Sequence, residues 1–392
     1  MRLTHLGLEN FRSYAAAELQ LDPGLTIVAG PNGAGKTNLL EAIHVAISGR
    51  SHRAGNDHEL VRHGAPWGRV RLDVAPPTGH PARIELLIPG LEPGEVRKRL
   101  TVNGVARRVS GVADVARAVL FRPEEMLLLV GSPSERRRFL DGILAQRDRR
   151  VARDLIELQR VLVQRNALLR AIRREEASAA GLGFWDEQLV ALGARVLAAR
   201  LELVAELGER IGPLHDLVAP PDEAGQVVRL GYLDSLKDAW PGRGTATADR
   251  SPGVEELTAA FRSRLAAVRQ KELWNGVSLV GPQRDDLRVE LGGRDVAEHA
   301  SRGQQRTIIV AMKLAETDLL GEADAPHPVV LLDDVFSELD PERSERVLGL
   351  LLERGQVLVT MADTGAIPAR RRRSVPVWQV GDGRLTLAPR VA

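Results

Sequence analysis

Gly30–Thr37, with the sequence GPNGAGKT, constrains this chain more than any other stretch. It satisfies G-x-x-x-x-G-K-[ST] in full. It stands between an apolar run, Leu25-Thr26-Ile27-Val28, and a helix-like run from Thr37 to Ile47. A strand, a glycine-rich loop and a helix in that order make a phosphate-binding loop. Gly30, Gly33 and Gly35 let the backbone curl so that its N–H groups point inward at phosphate oxygens, with Pro31, Asn32 and Ala34 completing the cradle. The helix that opens near Lys36 adds the positive end of its dipole. Lys36 is placed to reach the β- and γ-phosphates of a nucleotide, and the Thr37 hydroxyl to ligate Mg²⁺.

The rest of the composition mainly excludes. A length of 392 residues points to about two or three domains. The absence of cysteine rules out disulfides, thiolate metal sites and cysteine nucleophiles. No run is long enough to span a bilayer, and Leu3–Leu8 reads as a strand rather than a signal peptide. A cytoplasmic protein without a membrane partner is expected. The net charge is only +2, carried mostly by arginine, which grips phosphate bidentately.

From Met1 to about Phe121 the pattern predicts short strands at 2–9, 17–22, 25–29, 69–75, 83–88, 97–102 and 105–109, with a hairpin turn at Asn103-Gly104. After Pro133 the period changes. Val151, Leu155, Leu158, Leu162, Leu169 and Ile172 follow a helical alternation that Arg165 breaks once. Trp185, Leu189, Leu192, Val196, Ala199 and Leu203 repeat it, and Gly181-Leu182-Gly183 separates the two. This predicts an antiparallel helix hairpin, too short for a long coiled-coil arm. Residues 219–253 are rich in turn formers and predict a mobile surface loop, with a strand at Val227–Leu230. A third helix follows at 254–272. Strands at 277–280, 328–332 and 356–360, helices at 303–320 and 341–353, and a hairpin over Val375–Leu387 complete the α/β character.

Two further segments concern the nucleotide. Val329–Asp334 is an apolar strand ending in paired acids. Asp333 belongs beside Mg²⁺, and Asp334 is placed to orient or deprotonate an attacking water. Ser301-Arg302-Gly303-Gln304-Gln305 opens a helix and offers a second anion cradle. One triphosphate needs one cradle, so the second suggests that another copy of the chain completes the site.

The order GPNGAGKT, SRGQQ, LLDD, SELD resembles the Walker A, signature, Walker B and D-loop motifs of the ABC-type ATPase head. That resemblance implies two heads sandwiching two ATP molecules, with Ser301, Gly303 and Gln304 of one head closing on the γ-phosphate held by the other. The Lys36–Ser301 interval is long, as in the DNA-repair and chromosome-maintenance branch that includes the SMC proteins. Leu8-Glu9-Asn10-Phe11-Arg12-Ser13-Tyr14 is similar to that branch, which implies that Arg12 lies near the nucleotide. Ser51-His52-Arg53, Phe121-Arg122-Pro123-Glu124, Arg136–Asp141 and Val280–Asp286 closely resemble RecF, a family of bacterial recombination mediators. The chain is identified as a member of that family.

Membership implies residues 1–125 and 277–392 as two parts of an ATPase lobe and 126–276 as a helical lobe. It implies ATP and Mg²⁺, an ATP-dependent homodimer on double-stranded and gapped DNA, and weak, DNA-stimulated ATP hydrolysis coupled to dimer opening. The partners it implies are RecR and RecO, acting so that RecA loads. Asp334 stands where most ABC-type ATPases carry glutamate, which implies slow turnover. Thr360-Met361-Ala362-Asp363 replaces the switch histidine, leaving Thr360 or Asp363 to serve.

The arginine clusters at 97–99, 107–108, 136–138, 147–153 and 370–373 are candidate DNA contacts, with duplex backbone binding favoured because few aromatics interleave with them. His52, Asp57, His58 and His63 fit no common metal-ligand spacing. The rival readings are a nucleotide-switched interaction protein whose hydrolysis is incidental, and a transporter ATPase subunit.

Overall fold

Two kinds of strand pattern are present. Residues 67–75 alternate buried and half-exposed positions, the mark of a sheet with one covered face, whereas 25–29, 329–333 and 357–361 are buried throughout, as in a parallel sheet covered on both faces. A computed structural model describes all residues except 77–79, 92–96, 222, 237–251, 322–326, 367–374, 382 and 389–392. Contacts divide the chain into Met1–Glu125 with Lys313–Ala392, and Met126–Met312.

The first unit carries both patterns. Its antiparallel sheet has the order β2-β1-β4-β5-β6-β7, from β1 (Arg2–Phe11), β2 (Tyr14–Gln20), β4 (Trp67–Ala75), β5 (Ala82–Pro89), β6 (Arg99–Val102) and β7 (Val105–Ala106). Its second sheet has the order β15-β14-β3-β13-β12-β8, from β3 (Leu25–Ala29), β8 (Ala118–Phe121), β12 (Val329–Asp333), β13 (Val357–Met361), β14 (Val377–Gly381) and β15 (Arg384–Leu387). All its pairings are parallel except β14–β15. Helix α1 (Lys36–Ser48) packs against strands of both sheets, and is accordingly buried over most of its length, Lys36 and Glu41 included. Leu39, Leu40, Ile43 and Val45 share one core with Leu6, Val70 and Leu86 of the first sheet and Val28, Leu331 and Leu358 of the second. Gln356 joins the sheets directly: its amide donates to Leu3 O (2.8 Å) and Asp22 O (2.6 Å), and its Oε1 accepts from Leu3 N (2.7 Å). Helix α9 (Pro341–Arg354) links β12 to β13, with Asp340 capping its N-terminus. The Asn103-Gly104 turn has positive φ at both residues, as the hairpin signal requires.

The second unit holds α2 (Leu127–Val130), α3 (Pro133–Arg147), α4 (Arg149–Arg173), α5 (Leu182–Val218), α6 (Val254–Asn275), α7 (Val296–His299) and the start of α8 (Arg302–Leu320). A small sheet, β11-β10-β9, is built from β9 (Val228–Leu233), β10 (Asp286–Leu291) and β11 (Arg294–Asp295). Helices α4 and α5 form the hairpin, joined through a 3₁₀ turn at Ala179–Gly181. Arg165, the break in the apolar pattern, is buried and bound to Glu272, Asp186 and Ser278. Among the described residues no helix is long and apolar enough to cross a membrane.

Three expectations are corrected. Residues 277–280 form no strand, because side chains take their backbone donors: Asn166 Oδ1 accepts from Ser278 N (2.8 Å) and Glu272 Oε1 from Leu279 N (2.6 Å). The chain returns to the first unit at 312/313 and not at the expected 276/277, since β10 pairs with β9 and Asp285 is held by Tyr232 and Ser235. The strand expected at 105–109 stops at Ala106, and Val109–Gly111 turns as a 3₁₀ segment. Of the mobile loop expected over 219–253, Val228–Leu233 forms β9, and 222 and 237–251 lie outside the described residues.

Candidate nucleotide site

The carboxyl ends of β3, β13 and β12 lie side by side, which is where open parallel sheets bind ligands. β3 runs into the glycine-rich loop. Gly33 (φ 82°) and Gly35 (φ 109°) adopt the left-handed region. Helix α1 then starts at Lys36 with no side chain capping its first amides, so they face the loop. Lys36 is 7% exposed, and its ammonium donates to Gly30 O (2.8 Å) and Pro31 O (3.0 Å). Among the described residues it has no carboxylate partner. Carbonyl dipoles aim the charge without neutralising it, which suits an anionic ligand.

Asp333 closes the other side. The parallel register sets Asp333 opposite Thr360, and the Thr360 hydroxyl donates to Asp333 Oδ1 at 2.6 Å. The Thr37 hydroxyl donates to the same oxygen at 3.0 Å. Both donors are neutral, and no cationic side chain among the described residues pairs with this carboxylate. Hard oxygen donors around an unbalanced buried negative charge fit Mg²⁺. Asp334 follows in a left-handed conformation (φ 51°), its N–H donating to Thr360 O (3.0 Å) and its carbonyl accepting Ser337 Oγ (2.7 Å). Strain of this kind collects at functional sites. The fully buried Thr360 is turned onto Asp333, and the exposed Asp363 accepts from Gly365 N (2.9 Å).

Arg12 also has a left-handed backbone (φ 50°). Its guanidinium is engaged by Glu41 (2.9 and 2.8 Å) and Glu59 O (2.8 Å) rather than standing free. The next two residues lean on the loop, with Tyr14 OH donating to Gly35 O at 3.0 Å. Sequence reasoning gave no role to Tyr14 or Glu41. The signal for Glu41 was a charge inside the apolar run Leu39-Leu40-Glu41-Ala42-Ile43.

Ser301, Gly303 and Gln304 lie in the second unit. Ser301 Oγ accepts from Gln304 N (3.1 Å) and Gln304 Oε1 from Ser301 N (2.9 Å), a reciprocal capping box. Gly303 is exposed, and a Cβ there would meet only Ser301 Oγ at 3.7 Å. Its own unit therefore gives no packing reason for glycine in this turn, where glycine weakens a helix.

The other clusters separate by what they touch. Arg136 is paired with Asp286 (2.6 and 2.9 Å) and Arg137 donates to Asp285 O (2.7 Å), so these two hold the helical unit together and are withdrawn as DNA contacts. Arg147 pairs with Glu206 (2.7 Å). Arg97, Arg99, Arg107 and Arg108 are exposed on and beside the β6–β7 hairpin. The run 370–373 lies outside the described residues. Asp57 is taken by Lys98 (2.7 Å), and the His52 ring stands edge-on to His44 (5.7 Å). Burial, with Lys313 and Arg122 nearby, pushes the His44 imidazole down to about 4.

The model of the RecF/RecN/SMC N-terminal domain family matches residues 2–380. A DNA replication and repair protein RecF from Kineococcus radiotolerans is 40% identical, over 95% of this chain and 95% of that one. The RecF of Streptomyces avermitilis is 39% identical over 94% and 95%. Among solved structures, the recombination mediator protein RecF with ATP, of the RecFOR pathway, superposes with a TM-score of 0.85 at 27% identity, covering 99% of this chain and 97% of that one.

Proposed function

The chain belongs to the RecF family of ABC-type ATPases, and we propose that it is an ATP-dependent DNA-binding recombination mediator in DNA repair and replication restart. The observation that carries this reading is a Lys36 ammonium and an Asp333 carboxylate at one sheet end, neither with an ionic partner among the described residues. That arrangement suits a polyanion bridged to a divalent cation.

On this reading Gly30–Thr37 holds the triphosphate through backbone N–H groups, and Lys36 stabilises charge that develops as the γ-phosphoryl leaves. Thr37 and Asp333 would hold Mg²⁺, which when bound neutralises charge on the phosphate oxygens. Asp334 orients the attacking water. Aspartate reaches less far than glutamate, so turnover is slow. Ser301, Gly303 and Gln304 of a second copy complete the pocket: the Ser301 O–H remains free to donate, and Gly303 leaves room for phosphate. Two copies close around ATP, the joint surface holds duplex or gapped DNA, and hydrolysis reopens the pair, with RecR, RecO and ultimately RecA acting at the same DNA. Arg97, Arg99, Arg107 and Arg108, together with Arg149, Arg150 and Arg153, are exposed arginines open to phosphate contact, giving binding insensitive to sequence and weakened by salt.

Asp334→Asn tests the cycle. It is expected to bind ATP and dimerise yet stay closed, with hydrolysis at least about 100-fold slower, measured by light scattering and phosphate release. A variant that reopens at the wild-type rate would show hydrolysis to be incidental.

A further inference from the structure

Glu41 lies on α1 just past Thr37, and its side chain is wholly out of solvent. A buried charge is costly unless its partners are well placed. Here they come from two separate loops. Arg12 Nε (2.9 Å) and Nη2 (2.8 Å), from the turn between β1 and β2, donate to its two oxygens. Ser51 Oγ, from the stretch after α1, donates to Oε1, and Arg53 Nη1 stands 3.8 Å from Oε2. Ser51 Oγ also accepts the N–H groups of Arg53 (2.9 Å) and Ala54 (2.8 Å), which fixes that stretch.

The contacts continue to the phosphate loop. Arg53 Nη1 donates to Asn38 Oδ1 (3.2 Å), and Asn38 Nδ2 to Ser13 Oγ (3.0 Å). Ser13 follows Arg12 and touches the loop: a Cβ on Gly35 would lie 2.7 Å from its Oγ. Glu41, Arg12, Ser13, Asn38 and Arg53 thus close a ring around the first turn of α1, the turn whose amides and Lys36 meet phosphate. Arg12 adopts an uncommon left-handed backbone to join it.

We infer that Glu41 is a positioning residue of the nucleotide site: by anchoring Arg12 and Arg53 it sets where Ser13 and Asn38 stand against the phosphate loop, and so the affinity for triphosphate. This inference rests on the nucleotide reading. Binding of a fluorescent ATP analogue is measured well below each variant's melting temperature. Glu41→Gln and Arg12→Lys each weaken binding about ten-fold, as outer-shell partners of a site commonly do, and the double variant is no worse than the singles because one network is cut twice. Gln356→Ala removes a buried polar anchor of the same unit that does not touch the ring. It lowers the melting temperature and leaves affinity at the wild-type level. Should Glu41→Gln fail to fold, Ser51→Ala is read instead, and weakens binding in the same direction. Wild-type affinity in Glu41→Gln (or in Ser51→Ala, where that is read), or equal weakening by Gln356→Ala, overturns the inference. Lys36→Ala separates the two levels: binding that survives it would sink the nucleotide reading itself.

Discussion

Asp333 in the sheet unit and Glu272 in the helical unit are both buried carboxylates, 7% and 1% exposed, yet they are satisfied in opposite ways. Glu272 is closed: Arg165 Nη2 binds one oxygen and Leu279 N the other. Asp333 has two hydroxyls on a single oxygen and no cationic partner among the described residues. A closed ion pair fixes a fold and has nothing left to give. A carboxylate held only by neutral donors keeps its charge for something that arrives. Reading which buried charges are balanced therefore separates groups that hold other residues in place, as Glu272 and Glu41 do, from groups left for a ligand, where burial alone does not.

The comparison predicts effects of different kinds. Arg165→Met strands Glu272 and should destabilise the helical unit by about 3–5 kcal/mol, read by denaturant unfolding. Asp333→Asn should slow ATP hydrolysis at least about 100-fold without lowering the melting temperature, since it removes an unbalanced charge. A large loss of stability in Asp333→Asn would put Asp333 in the framework with Glu272.

Acid sharpens the contrast further. The His44 ring in the sheet unit is held at about 4, below the ordinary value of 6.5. Its contribution is complete above pH 6.5 and is lost as pH falls towards 4. Asp285 in the helical unit is pushed up by burial to about 6, from 3.8. Its contribution is complete below 3.8 and is lost as pH rises through 6. Between pH 7 and 5 His44 should withdraw roughly 1–2 kcal/mol from its surroundings while Asp285 adds a similar amount to its own. Amide exchange, corrected for intrinsic rates, should quicken in α1 and slow in β10, and a shift of both in one direction would contradict this assignment.

The same contrast explains what could be read from the sequence. The glycine-rich turn into α1, the strand ending in paired acids and the capped helix at Ser301 were legible as structure because such turns and caps need particular residue types at fixed spacing. The long strands, the α4–α5 hairpin and the Asn103-Gly104 turn were legible from periodicity. Arg165 was not, because its partners, Asp186 and Glu272, are brought to it only by tertiary packing. For the same reason 277–280 looked like a strand: four residues of apolar character cannot announce that Asn166 and Glu272 will take their amides. Strand β8 escaped notice because Ala118–Phe121 is short and buried on every side, with no alternation to reveal it. Arg136 and Arg137 looked like a DNA patch because charge in a sequence carries no record of its counter-ion.

Light scattering with and without ATP bears most directly on the composite pocket. The wild-type chain should double in mass when ATP is added, and Ser301→Arg should bind ATP with near wild-type affinity while remaining monomeric. Doubling that is independent of ATP, or a Ser301→Arg protein that dimerises like the wild type, would contradict a site shared between two copies.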